Sequence, residues 1–397
     1  MADDRVAYWD RIVEIHKAKG KDRPSGEPGL AAIQTVRRIL GSRWRPGGFG
    51  TPYSWPQQLE SRLSVIYEPN YKWLIHFAKK LEALEEIPGY ESVLDQFGLP
   101  DRYPSALMEM DFGLKLKLAS ISCKYDFQRG TPTPDLVAQI DGKVVDIEVT
   151  SLARPTDDTA GMEAMSALIT IAIQGKCVAG GIWAKAPSRV ELERIRKKAH
   201  AAVNEAKTER KLVEFNEPGV LSCIVCPEDM ATQVQQPPWN LGSFVMRTPQ
   251  RLPKKDRLAR TIERKGKEQL SRERPSILVV YDRFSNPDEA RGFVNEKEIE
   301  LSVGAFSNLA GVILVCPFMV TSLMAEEQRP SPTRKETKEN RTLVEYMLPD
   351  GEAEICTVWR HPMGKHAAVI ERVLQGLEGF PRNLSSLFAE HQATMDV

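Results

Sequence analysis

Apolar residues recur at helical spacing in GLAAIQTVRRIL and again from Tyr71 to Leu84 (YKWLIHFAKKLEAL). This predicts a mostly helical region over residues 1–100, broken at 41–56 (GSRWRPGGFGTPYSWP), where Gly and Pro cluster. From Ser105 the pattern changes. Ser105 is a plausible N-cap, and Ala106 to Leu118 reads as a helix despite Gly113. Ile121 to Gln128 and Pro134 to Ile140 read as short extended segments. Asp141-Gly142 is a two-residue hairpin signal, and Val144 to Thr150 (VVDIEVT) alternates as a half-buried strand should.

Helical periodicity returns over 161–174 and 189–211, followed by a strand at 219–226 (GVLSCIVC). A helix at 256–270 precedes the apolar strand Ser276 to Tyr281 (SILVVY). A further helix–strand unit ends in Gly311 to Cys316. The charged, proline-containing stretch 325–341 reads as an exposed loop. A strand at Thr342 to Leu348 and a helix near His366 to Leu377 close the chain. Strands alternating with helices predict an α/β fold with some parallel pairs. The expected organisation is a helical accessory region, 1–100, followed by one α/β domain with insertions, 101–397.

Composition changes this picture little. Lys plus Arg and Asp plus Glu are 54 each, so net charge says nothing about partners and only local clusters can. One such cluster runs from Arg247 to Arg274, where basic residues outnumber acidic ones; it suits phosphates, and equally a solvated helix face. The longest apolar run, Ala310 to Val320, is too short to cross a bilayer and contains Pro317. The start MADDRVAYWD has no apolar signal core, and the six cysteines are scattered. These features predict a soluble, cytoplasmic protein with no membrane partner.

The chemistry concentrates between Tyr103 and Ser151. Glu109 falls on the first helix of that stretch, Asp135 opens one strand of the hairpin, and Glu148 lies near the end of the other. Side chains alternate along a strand, so Asp146, Glu148 and Thr150 share one face while Ile147 and Val149 take the other. Glu109 reaches the same region if its helix packs across the sheet. Carboxylate oxygens suit hard cations such as Mg²⁺, and a bound Mg²⁺ or Mn²⁺ is a standard means of cleaving a phosphodiester.

The order of these features, a helical Glu in SALMEM, a PD dipeptide opening a strand, a DG turn and IEVT closing the next, resembles the PD-(D/E)XK nuclease superfamily. The resemblance is close over about 50 residues, 103–151, and looser over about 180. It implies a restriction-endonuclease-like αβββαβ core with a mixed sheet, Glu109, Asp135 and Glu148 as metal ligands, and nucleic acid, DNA foremost, as substrate. The family typically carries Lys two residues after the last acidic ligand. That position here is Thr150, whose neutral hydroxyl supplies no charge. Either the lysine has migrated or the site is inactive and serves binding alone. Leu258, Ile262, Lys265 and Gln269 follow one helical stripe at spacings of four, three and four. Lys265 with Gln269 is therefore the migration candidate; Lys198 competes with it, and a lysine snorkelling at the rim of an apolar face accounts for the same stripe.

Other motifs carry less. Cys223 and Cys226 sit in one strand without a second zinc pair and read as buried structural residues. His361 and His366 flank a Pro-Met-Gly turn and read as surface histidines, with metal binding or base work as the alternative. PGGFG at 46–50 lacks the ending of a phosphate loop.

Overall fold

The computed structural model describes the chain except residues 1, 21–24, 42, 44–62, 64–67, 98, 100–101, 127–132, 153–163, 166, 173, 186, 234–243, 247–253, 271–272, 283–289, 292–295, 320–332, 350–351 and 396–397. The chain divides into two compact units. The larger joins the N-terminal helices to Trp55–Leu152 and Lys255–Val397; the smaller is built on Ala153–Lys254.

The larger unit begins with helices α1 (Ala2–Gly20), α2 (Gly26–Leu40), α3 (Glu68–Leu84), α4 (Tyr90–Phe97) and α5 (Tyr103–Leu118). It then forms β1 (Ser122–Tyr125), β2 (Leu136–Ile140) and β3 (Lys143–Ser151), an antiparallel meander. Asp141 and Gly142 both take positive φ, 49° and 76°, which is the primed turn that the DG pair demands.

The smaller unit follows in the chain. It holds β4 (Cys177–Trp183), α6 (Arg189–Glu209), β5 (Val213–Glu217), β6 (Leu221–Pro227) and β7 (Phe244–Met246). Its sheet order is β5-β6-β4-β7, with β5-β6 and β6-β4 antiparallel and β4-β7 parallel. Ser188 caps α6 with a reciprocal capping box to Glu191.

The chain then returns to the larger unit through α7 (Lys254–Glu268), β8 (Ser276–Tyr281), α8 (Glu296–Gly304) and β9 (Leu309–Met319). It finishes with β10 (Thr333–Lys338), β11 (Arg341–Met347), β12 (Glu352–Arg360) and the long α9 (Ala367–Met395). The resulting eight-stranded mixed sheet has the order β1-β2-β3-β8-β9-β12-β11-β10, with β3-β8 and β8-β9 parallel.

Period-two patterning splits the sheet's two faces. Ile147, Val149, Ile277, Val279, Ile313 and Val315 share one core with the N-terminal helices, α5 and α9. Leu278, Val280, Val312, Leu314, Ile355 and Trp359 share the other with Leu258 and Ile262 of α7 and Ile299 and Val303 of α8. The helices of residues 1–97 thus share a hydrophobic core with the sheet.

Three expectations need correction. Helix α5 starts at Tyr103 without a side-chain cap, so Ser105 lies inside its first turn; Pro104 fits there because a first-turn N–H needs no helical partner. The charged stretch is not wholly loop: 325–332 lie outside the described residues, but Thr333–Lys338 pairs with β11 as an edge strand. Its charged, Lys-bearing sequence suits a strand with one unpaired side. The last helix runs on to Met395, far past Leu377, and carries Pro381. No described helix is long and apolar enough to cross a membrane.

Candidate functional site

The β2–β3 register assembles the first half of the site. Leu136 pairs with Ile147, so Asp135, one residue earlier, stands across from Glu148. Directly opposed residues on antiparallel strands put their side chains on one face, about 5 Å apart. Asp135 Oδ2 also accepts the backbone N–H of Val149 at 2.7 Å, which ties the start of β2 to the end of β3. Two carboxylates so placed repel each other and need a countercharge.

That charge comes from α7. Lys265 Nζ lies 2.6 Å from Glu148 Oε1, and the ammonium also donates to Gln269 Oε1 one turn on. Both pair members are buried, Lys265 at 8% exposure and Glu148 at 4%, so the pair is shielded from water. The inward stripe of α7 explains the placement: Leu258 and Ile262 anchor the helix in the core, and Lys265 follows on the same face. Thr150, half-buried, keeps the face parity of Glu148.

Glu109 arrives from the opposite layer. Helix α5 covers the Ile147–Val149 face, yet Glu109 is 3% exposed and its charge acts on both Glu148 and Asp135. Burial, then Glu148, raise the Glu109 carboxyl to about 7, with Arg102 and Lys265 pulling against them. Burial, then Glu148 and Glu109, push Asp135 well above the ordinary range, against the Val149 N–H and Lys265. Burial also raises Glu148, with Lys265 the main opposing influence. All three acids hold protons more tightly than free side chains do, the condition of like charges crowded out of water.

Buried Glu109 Oε2 and Glu148 Oε2 have no hydrogen-bond partner in this structure. Such orphaned carboxylate oxygens, beside a third acid, are the donor chemistry that a hard divalent cation satisfies. Among the described residues, no three His, Cys, Asp or Glu side chains form a ready cage for a metal ion. The acids would therefore have to draw closer to share one.

The other candidates fall elsewhere. Lys198 donates to Glu217 Oε2 at 2.9 Å and to the Asn216 carbonyl at 2.7 Å, within the smaller unit. Cys223 and Cys226 are free and buried, and only Cys223 belongs to the core of the smaller unit, as residues three apart on a strand should differ. His361 is not a surface residue: it is 4% exposed, and its Nδ1 accepts the Met363 N–H at 3.2 Å, while His366 is half-buried. Of the basic stretch, 247–253 and 271–272 lie outside the described residues, as does 46–50; Arg260, Arg264, Lys267 and Arg274 are exposed. Arg264 also acts on Glu148, so exposed positive charge borders the acids. Sequence reasoning passed over half-buried Asp111 and buried Lys115 and Glu354, three ionic groups joined in one network. The signal for Asp111 and Lys115 was their (i, i+4) spacing in an otherwise apolar helix.

No protein-family model, curated protein or solved structure matches this chain.

Proposed function

We propose that the chain is a metal-dependent nuclease that hydrolyses phosphodiester bonds of nucleic acid, with DNA as the substrate. The observation that carries this reading is the meeting of Asp135 and Glu148 across the hairpin, with Glu109 acting on both and Lys265 paired to Glu148. The element order α5-β1-β2-β3, then α7 and β8 with β8 parallel to β3, supports the restriction-endonuclease-like αβββαβ core, with residues 153–254 as an insertion.

In this reading Glu109, Asp135 and Glu148 hold Mg²⁺ or Mn²⁺. The bound ion supplies a Lewis acid for the phosphoryl oxygen and lowers the pKa of an attacking water. Lys265 replaces the lysine missing at Thr150: its ammonium has three N–H donors, and the described contacts to Glu148 and Gln269 use two. The third can orient a water or a phosphate oxygen. Gln269 steers the ammonium, and Thr150 offers a hydroxyl on the face of Glu148. Exposed Arg260, Arg264 and Lys267 on α7 offer contacts to the nucleic-acid backbone. All six cysteines are free, which supports a reducing, cytoplasmic setting.

Incubation of plasmid and single-stranded DNA with Mg²⁺ tests the proposal. Cleavage by the native chain, lost in folded Asp135→Ala and Glu148→Ala variants, is the expected result. Equal cleavage by all three proteins rejects the assignment. A second reading, a nuclease-fold module that binds nucleic acid or a protein without cutting, draws on the direct Lys265–Glu148 pair, which already occupies one carboxylate oxygen. DNA binding in a gel shift, with no cleavage under any divalent ion, would favour it.

A further inference from the structure

Helix α5 is buried on nearly every side. Tyr103, Ala106, Met108, Met110, Phe112, Leu114 and Leu116 are all buried, and so are Glu109 and Lys115. A helix with a narrow apolar stripe has one rotation that buries it; a helix apolar all round has several of similar hydrophobic value. Polar groups must then select among them.

Those groups lie along one side of α5. Lys115 pairs with Asp111 one turn earlier and with Glu354 Oε1 of β12 at 3.1 Å. Tyr281, at the end of β8, donates its hydroxyl to Asp111, and Tyr346 of β11 donates to Glu354 Oε2 at 2.7 Å. The Lys115 ammonium also sits 4.6 Å from the ring centroid of Phe380 on α9. Three strands and a second helix thus grip a single ion network, built of two acids and one base.

Apolar residues of similar volume would stabilise this core at least as well as a buried ion network does. The network also connects to the site. Tyr281 pairs with Ser151 across β3–β8, and Ser151 adjoins Thr150. At about 100° per residue, Glu109 and Asp111 project to nearly opposite sides of α5, so turning one turns the other.

We propose that Asp111, Lys115 and Glu354 form a register lock that sets the rotation of α5 and so delivers Glu109 to Asp135 and Glu148. Lys115 is then a positioning residue for the acidic site. The inference rests on reading that site as a metal centre, but the lock itself can be judged without metal.

The test is the triple variant Asp111→Asn, Lys115→Met, Glu354→Gln, which removes all three charges at similar volume. Its melting temperature is expected to equal or exceed that of the native chain. Its Mn²⁺ affinity, measured by titration calorimetry, is expected to fall about tenfold or more. A metal-free readout runs beside this one. Glu109→Gln should raise the melting temperature of the native chain by removing a buried charge beside Glu148, and that rise should vanish in the triple background. Glu354→Gln alone is the milder variant, with both effects in the same direction, and decides the matter should the triple variant not fold. Unchanged Mn²⁺ affinity together with an undiminished Glu109→Gln effect overturns the lock. Absence of Mn²⁺ binding by the native chain rejects the metal centre, while the Glu109→Gln comparison still judges the lock.

Discussion

Lys265 Nζ stands 2.6 Å from Glu148 Oε1, although 117 positions separate the two residues in the chain. The pair joins the inward stripe of α7 to the acidic strand β3, and both partners are buried. Removing one member leaves the other charged and unsolvated. Lys265→Met should therefore destabilise the fold by about 3–5 kcal/mol in urea unfolding, and adding Glu148→Gln should recover most of that loss. A Lys265→Met variant as stable as the native chain would show that the pair contributes nothing.

Lysine supplied from α7 also makes a prediction about Thr150. Under the nuclease reading proposed above, Lys265→Ala should lower the cleavage rate by roughly 10²–10³, the usual effect of losing one preorganised charged donor. Adding Thr150→Lys in that background should restore part of the activity, because position 150 shares the face of Glu148. A second lysine that rescues nothing would argue against the substitution of one position for the other.

Folding stability of the metal-free protein should fall as pH rises. The Glu109 carboxyl is raised from 4.5 to about 7 in the folded chain, mainly by burial and then by Glu148. The folded state therefore binds this proton more tightly than the unfolded state. Its contribution is complete below pH about 4.5 and is lost as pH climbs through about 7. The shift is worth on the order of 3 kcal/mol. Urea unfolding at pH 5 and pH 8 should show a smaller difference in Glu109→Gln than in the native chain. Identical differences would mean that Glu109 does not titrate as described.

Gly113 sits where α5 meets β1. A Cβ there would run into the hydroxyl of buried Tyr125. Gly113→Ala should cost about 1–3 kcal/mol by overpacking, against the roughly 1 kcal/mol that alanine gains in a helix. A higher melting temperature for the variant would mean that the contact yields freely.

Much of this architecture was legible in the chain. The DG turn, the β-branched VVDIEVT and the run SILVVY located β2, β3 and β8 closely, because turn chemistry and period-two burial act locally. The stripe 258–262–265–269 pointed Lys265 inward for the same reason. What stayed hidden depends on distant partners. Strand β12 (EAEICTVWR) carries Glu354, whose burial makes sense only beside Lys115, more than two hundred positions away. Strand β10 (TRKETK) looked like a loop because an edge strand may remain polar. Strand β4 (CVAGGIW) was concealed by its two glycines. Which face of α5 presents Glu109 could not be read from a helix that is apolar all round.

Calorimetric titration of Mn²⁺ into the native chain and into Glu109→Gln, Asp135→Asn and Glu148→Gln at pH 8 tests the acidic centre most directly. Saturable binding by the native chain, weakened at least about tenfold by each substitution while all four proteins melt cooperatively, is the expected result. Equal Mn²⁺ affinity in all four would contradict it, since these acids would then not share a common ion.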